Sequence, residues 1–177
     1  MSSASVPVVD AGRIIKVNHA GEHGAVNIYA GQIAMARLRA RFLIPELSEF
    51  KFHEERHRSI FAGELQRRGL PRCRSYWLCG LGGYVLGCLT GLMGVRSIAT
   101  ATVAVERVVL RHLREQLLAV GTTDPAATAA ISAILAEEQQ HHDQSAARIH
   151  HPGALDRMIG SVISAATEAV IWIGMRL

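Results

Sequence analysis

Apolar residues recur along this chain three and four positions apart, the period of a helix face, and no run sustains the alternation of a strand. Asp10 can cap a first helix that runs to about residues 38–41. Pro45 suits the first turn of a second, which should end near Gly69 and Pro71. A third apolar segment covers about 75–95, and a fourth helix runs from about 97 to 120 and stops at Gly121. Asp124-Pro125 is a strong helix start, opening a fifth that reaches about residue 149. Pro152 and Asp156 begin a sixth that continues to the C-terminus. The pattern predicts an all-α chain of six helices.

Carboxylates interrupt the apolar stripes. In the fourth helix the stripe reads Ala99, Val103, Glu106, Leu110, Leu113, Leu117. In the fifth it reads Ala127, Ile131, Ile134, Glu138, His141, and in the second Leu47, Phe50, Glu54, His57, Phe61. Glu at i and His at i+3 share one helical face, so both pairs point into the interior. In the first helix Ile15, Glu22, Tyr29 and Ala36 form one heptad-spaced line. Positions 22, 54 and 57 recur at 106, 138 and 141 after adding 84, so the two halves repeat one pattern. The first Glu and the Glu-x-x-His pair are 32 residues apart in each half.

Burying an unpaired carboxylate costs several kcal/mol, so four facing one another call for cations. Two divalent ions would balance four carboxylates, and mixed carboxylate and imidazole donors suit iron or manganese better than zinc. One Glu from each of two helices plus Glu-x-x-His from each of two others is the ligand set of ferritin-like di-iron bundles. Glu22, Glu54, His57, Glu106, Glu138 and His141 are therefore the candidate metal ligands, with two iron ions per chain the expected cofactor. Which Glu residues bridge stays open. Glu55, Glu137, His53 and His142 neighbour the pairs on other faces, as surface groups or as partners of the ligands. His19 and His23 flank Glu22 and are expected to be structural. His112, six residues after Glu106, could reach the edge of the site. His150-His151 reads as loop.

Composition narrows the setting. The 177 residues fit one domain, 11–177, behind a flexible N-terminus at 1–10. Hydrophobic residues make up 49% and charged residues 19%, against about 25% charged in ordinary chains, which excludes a disordered tail protein. The net charge is +4, but the Arg are scattered and aromatics reach only 5%, so no nucleic-acid partner is expected. Three Cys without a Cys-x-x-Cys pair exclude a disulfide framework. Residues 1–12 hold no Arg or Lys and no long apolar core, so the expectation is a bacterial or already processed protein.

Between Arg74 and Arg96 lie 21 residues without a charge. That length could just span a bilayer, yet a single span would put the two halves of one site on opposite sides of it. A peripheral or half-inserted hairpin is the better expectation, with Arg67, Arg68, Arg72 and Arg74 meeting anionic headgroups. Gly83, Gly87 and Gly91 form a line suited to close helix contact, inside the chain or across a homo-oligomer. The last helix is similarly apolar apart from Glu168. In sequence order the uncharged segment is the long crossover of a ferritin-like four-helix bundle, with the C-terminal helix a second apolar addition.

Four stretches carry a resemblance: RIIKVNHAGEHGAVNIYAGQ around Glu22, HEERH at 53–57, TVAVE ending at Glu106, and AEEQQHHD at 136–143. With the apolar crossover and last helix, residues 13–177 resemble the Coq7-type demethoxyubiquinone hydroxylases of ubiquinone biosynthesis. The resemblance implies a membrane-peripheral di-iron monooxygenase that hydroxylates the ring of a polyprenylated methoxy-methyl-benzoquinol with O2 and electrons from NADH. It implies a place on the cytoplasmic face of a bacterial membrane or the matrix face of the mitochondrial inner membrane, beside other ubiquinone-biosynthesis proteins. Its iron ligands fall on the same six residues. Family members often carry Tyr after the His at the position of His112 and in the Gly-Glu-x-Gly turn; here Leu113 and His23 stand there, and no relay through such a Tyr is carried over. Gly21 and Gly24, bracketing Glu22, are expected to leave room for a flat ring beside the metal. A ferritin-like storage protein and a non-catalytic quinone-binding scaffold are the alternatives. The first needs a soluble shell of many subunits, and the second binds quinone without O2-dependent product.

Overall fold

The computed structural model describes residues 10–177, which contain helices and no strand; the N-terminal segment 1–10 lies outside these apart from Asp10. The helices are α1 (Ala11–Arg39), α2 (Ile44–Arg67, entered through a 3-10 turn at Arg41–Leu43), α3 (Tyr76–Met93), α4 (Val95–Val120), α5 (Pro125–Ser132), α6 (Leu135–Ala146) and α7 (Ala154–Gly174). Local chemistry sets their ends. The Asp10 side chain accepts from the Arg13 N–H at 3.2 Å, and Asp124 accepts from the Ala127 N–H at 3.0 Å with Pro125 behind it. Gly94, at φ +99°, turns the chain between α3 and α4, and Gly121, at φ +39°, ends α4.

The expected fifth helix is broken in two. At Ala133–Ile134 the ladder tightens, with Ile134 N–H bonding Ile131 C=O at 3.4 Å and Glu137 N–H bonding Ile134 C=O at 3.1 Å. No Gly or Pro marks the place. The α5–α6 rod ends at Ala146, three residues before the sequence estimate.

The α1, α2, α4 and α5–α6 rods form the four-helix bundle, while α3 packs along α1 and α7 along α4. The 84-residue repeat extends to the whole architecture: displaced by 84, the start of α1 falls on the start of α4, and α3 falls on α7. One apolar cluster joins Ile15, Phe61, Leu113, Ile131 and Ile134 at one end of the bundle. A second joins Tyr29, Ala36, Leu47, Phe50 and Ile98 at the other. Along α1, α2 and α4 the interrupting carboxylates lie between them.

The glycine line of α3 finds its partner inside the chain. A Cβ at Gly83 would collide with the Gly24 carbonyl oxygen and one at Gly87 with that of Ile28, so α3 and α1 touch backbone to backbone. A Cβ at Gly31 would likewise come within 2.5 Å of the Tyr84 carbonyl oxygen. Outward, α3 exposes Trp77, Leu78, Leu81, Val85 and Leu89, and α7 exposes Met158, Val162, Val170 and Trp172. Both helices are long and apolar enough to cross a membrane. The basic residues before α3 are partly engaged elsewhere: Arg67 and Arg68 pair with Glu64, Arg68 also grips Asp124, and Arg72 lies over the Tyr76 ring. The three cysteines are free.

Candidate metal centre

Each bundle rod contributes to one buried cluster: Glu22 from α1, Glu54 and His57 from α2, Glu106 from α4, Glu138 and His141 from α6. None is more than 5% exposed. They are inside because each holds a place on its helix's apolar stripe, flanked a turn away by residues the core requires. The six converge as two groups whose donor atoms lie within 4.8 Å of one another: Glu22, Glu54, His57 and Glu138, and Glu54, Glu106, Glu138 and His141. Glu54 and Glu138 are common to both.

The imidazoles present Nδ1 to the carboxylates. His57 Nδ1 lies 2.9 Å from Glu138, 3.6 Å from Glu54 and 3.9 Å from Glu22. His141 Nδ1 lies 3.2 Å from Glu54 and 3.6 Å from Glu138. The outer nitrogens are held from behind, His57 Nε2 by Glu137 at 2.8 Å and His141 Nε2 by His53 Nδ1 at 3.0 Å. Tyr29 donates its hydroxyl to Glu106 at 3.3 Å.

This packing leaves a deficit that cations fit. Both oxygens of Glu54 and of Glu138, and Nδ1 of both histidines, have no hydrogen-bond partner among the described residues. A buried polar atom left so costs about 1–3 kcal/mol, more if charged, and here six point at one another. Without a cation, burial and the Glu54 and Glu138 charges push the Glu22 and Glu106 carboxyls well above the usual range. Burial works against the charged forms of Glu138, Glu54 and both imidazoles too, but their mutual contacts outweigh it. Glu138 and Glu54 are held low, His57 is held up at about 10 and His141 at about 9. The donor set, carboxylate oxygen with imidazole nitrogen, matches divalent iron or manganese.

The neighbouring residues divide. His53 and Glu137 hold the His141 and His57 imidazoles, whereas Glu55 pairs with Lys51 at 2.5 Å and His142 with Asp143 at 2.9 Å on the surface. Position alone signals the first two, since each directly precedes a ligand Glu. His112 is rotated about 240° around α4 from Glu106 and bonds Glu168 of α7 at 2.9 Å, on the wall of a cleft of about 300 Å³ with Gln116 and Trp172. It therefore does not edge the cluster. His19 and His23 are structural, stacked on Tyr76 with ring centroids 4.9 and 4.0 Å away. Gly24 faces Cys79 of α3 and Gly21 is exposed, so neither glycine opens space for a ring beside the carboxylates. The Phe50 and Tyr29 rings pack against His141, with centroids 4.4 and 6.1 Å away. His150-His151 is loop.

A helical bundle with a long crossover and four Glu and two His gathered at its centre is a ferritin-like protein. A family model described as "Ubiquinone biosynthesis protein COQ7" matches residues 10–174, and the chain belongs to that family. It is 29% identical over 166 residues to a 3-demethoxyubiquinol 3-hydroxylase of Rhodospirillum rubrum, covering 93% of this chain and 77% of that one. It is 30% identical over 177 residues to the NADPH-dependent 3-demethoxyubiquinone 3-hydroxylase, mitochondrial, of Dictyostelium discoideum, covering 93% and 76%. The protein of the same name from Homo sapiens is 28% identical over 169 residues, covering 93% and 77%.

Proposed function

We propose that this chain is an O2-dependent di-iron monooxygenase that hydroxylates the ring of a polyprenylated methoxy-methyl-benzoquinol, demethoxyubiquinol, in ubiquinone biosynthesis. The observation that carries the reading is the convergence of six buried carboxylate and imidazole side chains, four of them with inward atoms that have no hydrogen-bond partner among the described residues, in a chain whose relatives are named for this hydroxylation. Glu54 and Glu138, common to both groups, would hold the two irons together with Glu22 and His57 on one side and Glu106 and His141 on the other. The chemistry that irons held there supply is the reductive activation of O2. One oxygen atom would go to the ring and the other would leave as water, with two electrons and one proton from a reduced nicotinamide and the second proton from solvent. The resemblance implies NADH as the donor, whereas several relatives are named for NADPH.

The protein's own residues do the rest. Glu137 and His53 fix the imidazole rings so that Nδ1 faces inward. Tyr29 holds Glu106 in place and, with Phe50 and Leu47, closes the cluster against water at one end. The apolar outer faces of α3 and α7 suit a lipid-bearing substrate and a peripheral seat on a membrane, the cytoplasmic face in a bacterium.

A bacterium lacking its own demethoxyubiquinone hydroxylase provides the test. The wild-type chain should restore ubiquinone, read by mass spectrometry of extracted quinones, and Glu138→Ala should leave the demethoxy precursor accumulating. Restoration by Glu138→Ala at full level would refute the assignment.

A further inference from the structure

The repeat makes the two halves supply the same donors, so the two metal positions should be equivalent, yet their surroundings are not. The residue before the ligand Glu is His53 in the first half and Glu137 in the second, at equivalent places. Each reaches across the bundle to the imidazole of the opposite half. Glu137 Oε2 lies 2.8 Å from His57 Nε2, and the Arg56 guanidinium grips the other Glu137 oxygen. His53 Nδ1 lies 3.0 Å from His141 Nε2, the two rings nearly parallel at 9°. A second difference falls on the same side: Tyr29 donates to Glu106 at 3.3 Å, while the residue 84 further on is Leu113, which has no hydroxyl to offer.

We infer that the two metal positions are unequal by construction: the one formed by His57 and Glu22 holds its metal about 10- to 100-fold more tightly and fills first, and the one formed by His141 and Glu106 is the weaker. The physics is donor strength. With metal on Nδ1, Nε2 carries the proton. A carboxylate accepting that proton's hydrogen bond drives electron density toward Nδ1, and a neutral imidazole acceptor does so less. A phenol donating to Glu106 draws charge from the very oxygens that would bind metal. Both effects weaken the same position, and changes in such outer partners typically alter affinity about 10- to 100-fold. Glu137, His53 and Tyr29 are positioning residues here, acting through the ligands they touch. The inference rests on the metal-centre reading above.

The test is anaerobic calorimetric titration of the full chain with ferrous ion, with 57Fe Mössbauer spectra at one and two equivalents. Wild type should bind in two steps separated by at least about 10-fold. At one equivalent one quadrupole doublet should carry about three-quarters or more of the area, and at two equivalents two doublets should have equal area. His53→Glu gives each imidazole a carboxylate and should shrink the gap about 10-fold, drawing the doublets together. Glu137→His should weaken the tighter step by a similar factor, and Tyr29→Phe should tighten the weaker one. Two equal steps in the wild type, or a gap unmoved by all three substitutions, would overturn the inference while leaving the metal centre standing. No ferrous binding at all would overturn the metal-centre reading and the inference with it.

Discussion

Two glycines five residues apart on α3 separate close contact from mere small size. Gly82 is exposed with nothing within 4 Å of where its Cβ would stand, whereas a Cβ at Gly87 would collide with the Ile28 carbonyl oxygen and approach the Gln32 nitrogen at 3.0 Å. Alanine in a helix interior gains about 0.8–1 kcal/mol over glycine from propensity. Gly82→Ala should keep that gain and raise stability by about 0.5–1 kcal/mol. In Gly87→Ala the same gain is opposed by overpacking, typically about 1–3 kcal/mol and here at the upper end, because the atoms met are backbone and cannot swing away. The net is a loss of about 1–2 kcal/mol, so the two variants should differ by about 2–3 kcal/mol. Urea unfolding followed by far-ultraviolet circular dichroism, in mild detergent to cover the apolar faces, reads both values directly. If Gly87→Ala proved as stable as Gly82→Ala, α3 would not lie backbone to backbone on α1, and the support of the Glu22 helix would need another explanation.

Further outcomes follow from the same geometry. Because Glu138 belongs to both donor groups and Glu22 to one, Glu138→Ala should lose both irons by elemental analysis and Glu22→Ala only one; equal losses would contradict a site in which Glu138 serves both positions. Burial, with Arg72 and Arg58 nearby, pushes the His19 imidazole down to about 4, against about 6.5 unfolded. The unfolded chain therefore binds the extra proton first: stability is complete above pH 6.5 and declines toward pH 4, by up to about 3 kcal/mol. His19→Phe should keep the stack on Tyr76 and lose that part of the decline in chemical unfolding at stepped pH; an unaltered acid profile would refute it. Replacing exposed Trp77 and Trp172 with Ser should cut co-sedimentation with anionic lipid vesicles severalfold at unchanged circular dichroism, and undiminished binding would remove α3 and α7 as the membrane face.

The gathering of six residues into one buried cluster was legible because helical periodicity is a strong signal and a charged residue on an apolar stripe stands out against it. Glu106 among Val103 and Leu110 needs no neighbouring helix to look anomalous. The partner of the α3 glycines was not legible, since a small-residue line announces close approach without naming what approaches; only packing reveals Gly24, Ile28 and Gln32 opposite it. The break at Ala133–Ile134 had no Gly or Pro to mark it, and the apolar pattern runs through it without interruption. His112 was misplaced because its distance along α4 is short while its angle around the helix points to α7, where Glu168 supplies a partner that sequence order places 56 residues away. Gly21 and Gly24 went wrong for a similar reason: small residues beside Glu22 on the chain lie on different faces from it in space. Which carboxylates are shared between the two ligand groups depends on the meeting of four helices and emerges only in the assembled bundle.

The most direct measurement is a single turnover with labelled oxygen. The chain is loaded anaerobically with ferrous iron, chemically reduced, supplied with a short-tailed demethoxyquinol, and given one pulse of 18O2. Uptake of two irons per chain and one 18O atom in the hydroxylated product, absent in Glu138→Ala, is the expected result. Iron oxidation with no product, or product whose new oxygen comes from water, would contradict an oxygenase built on these six residues.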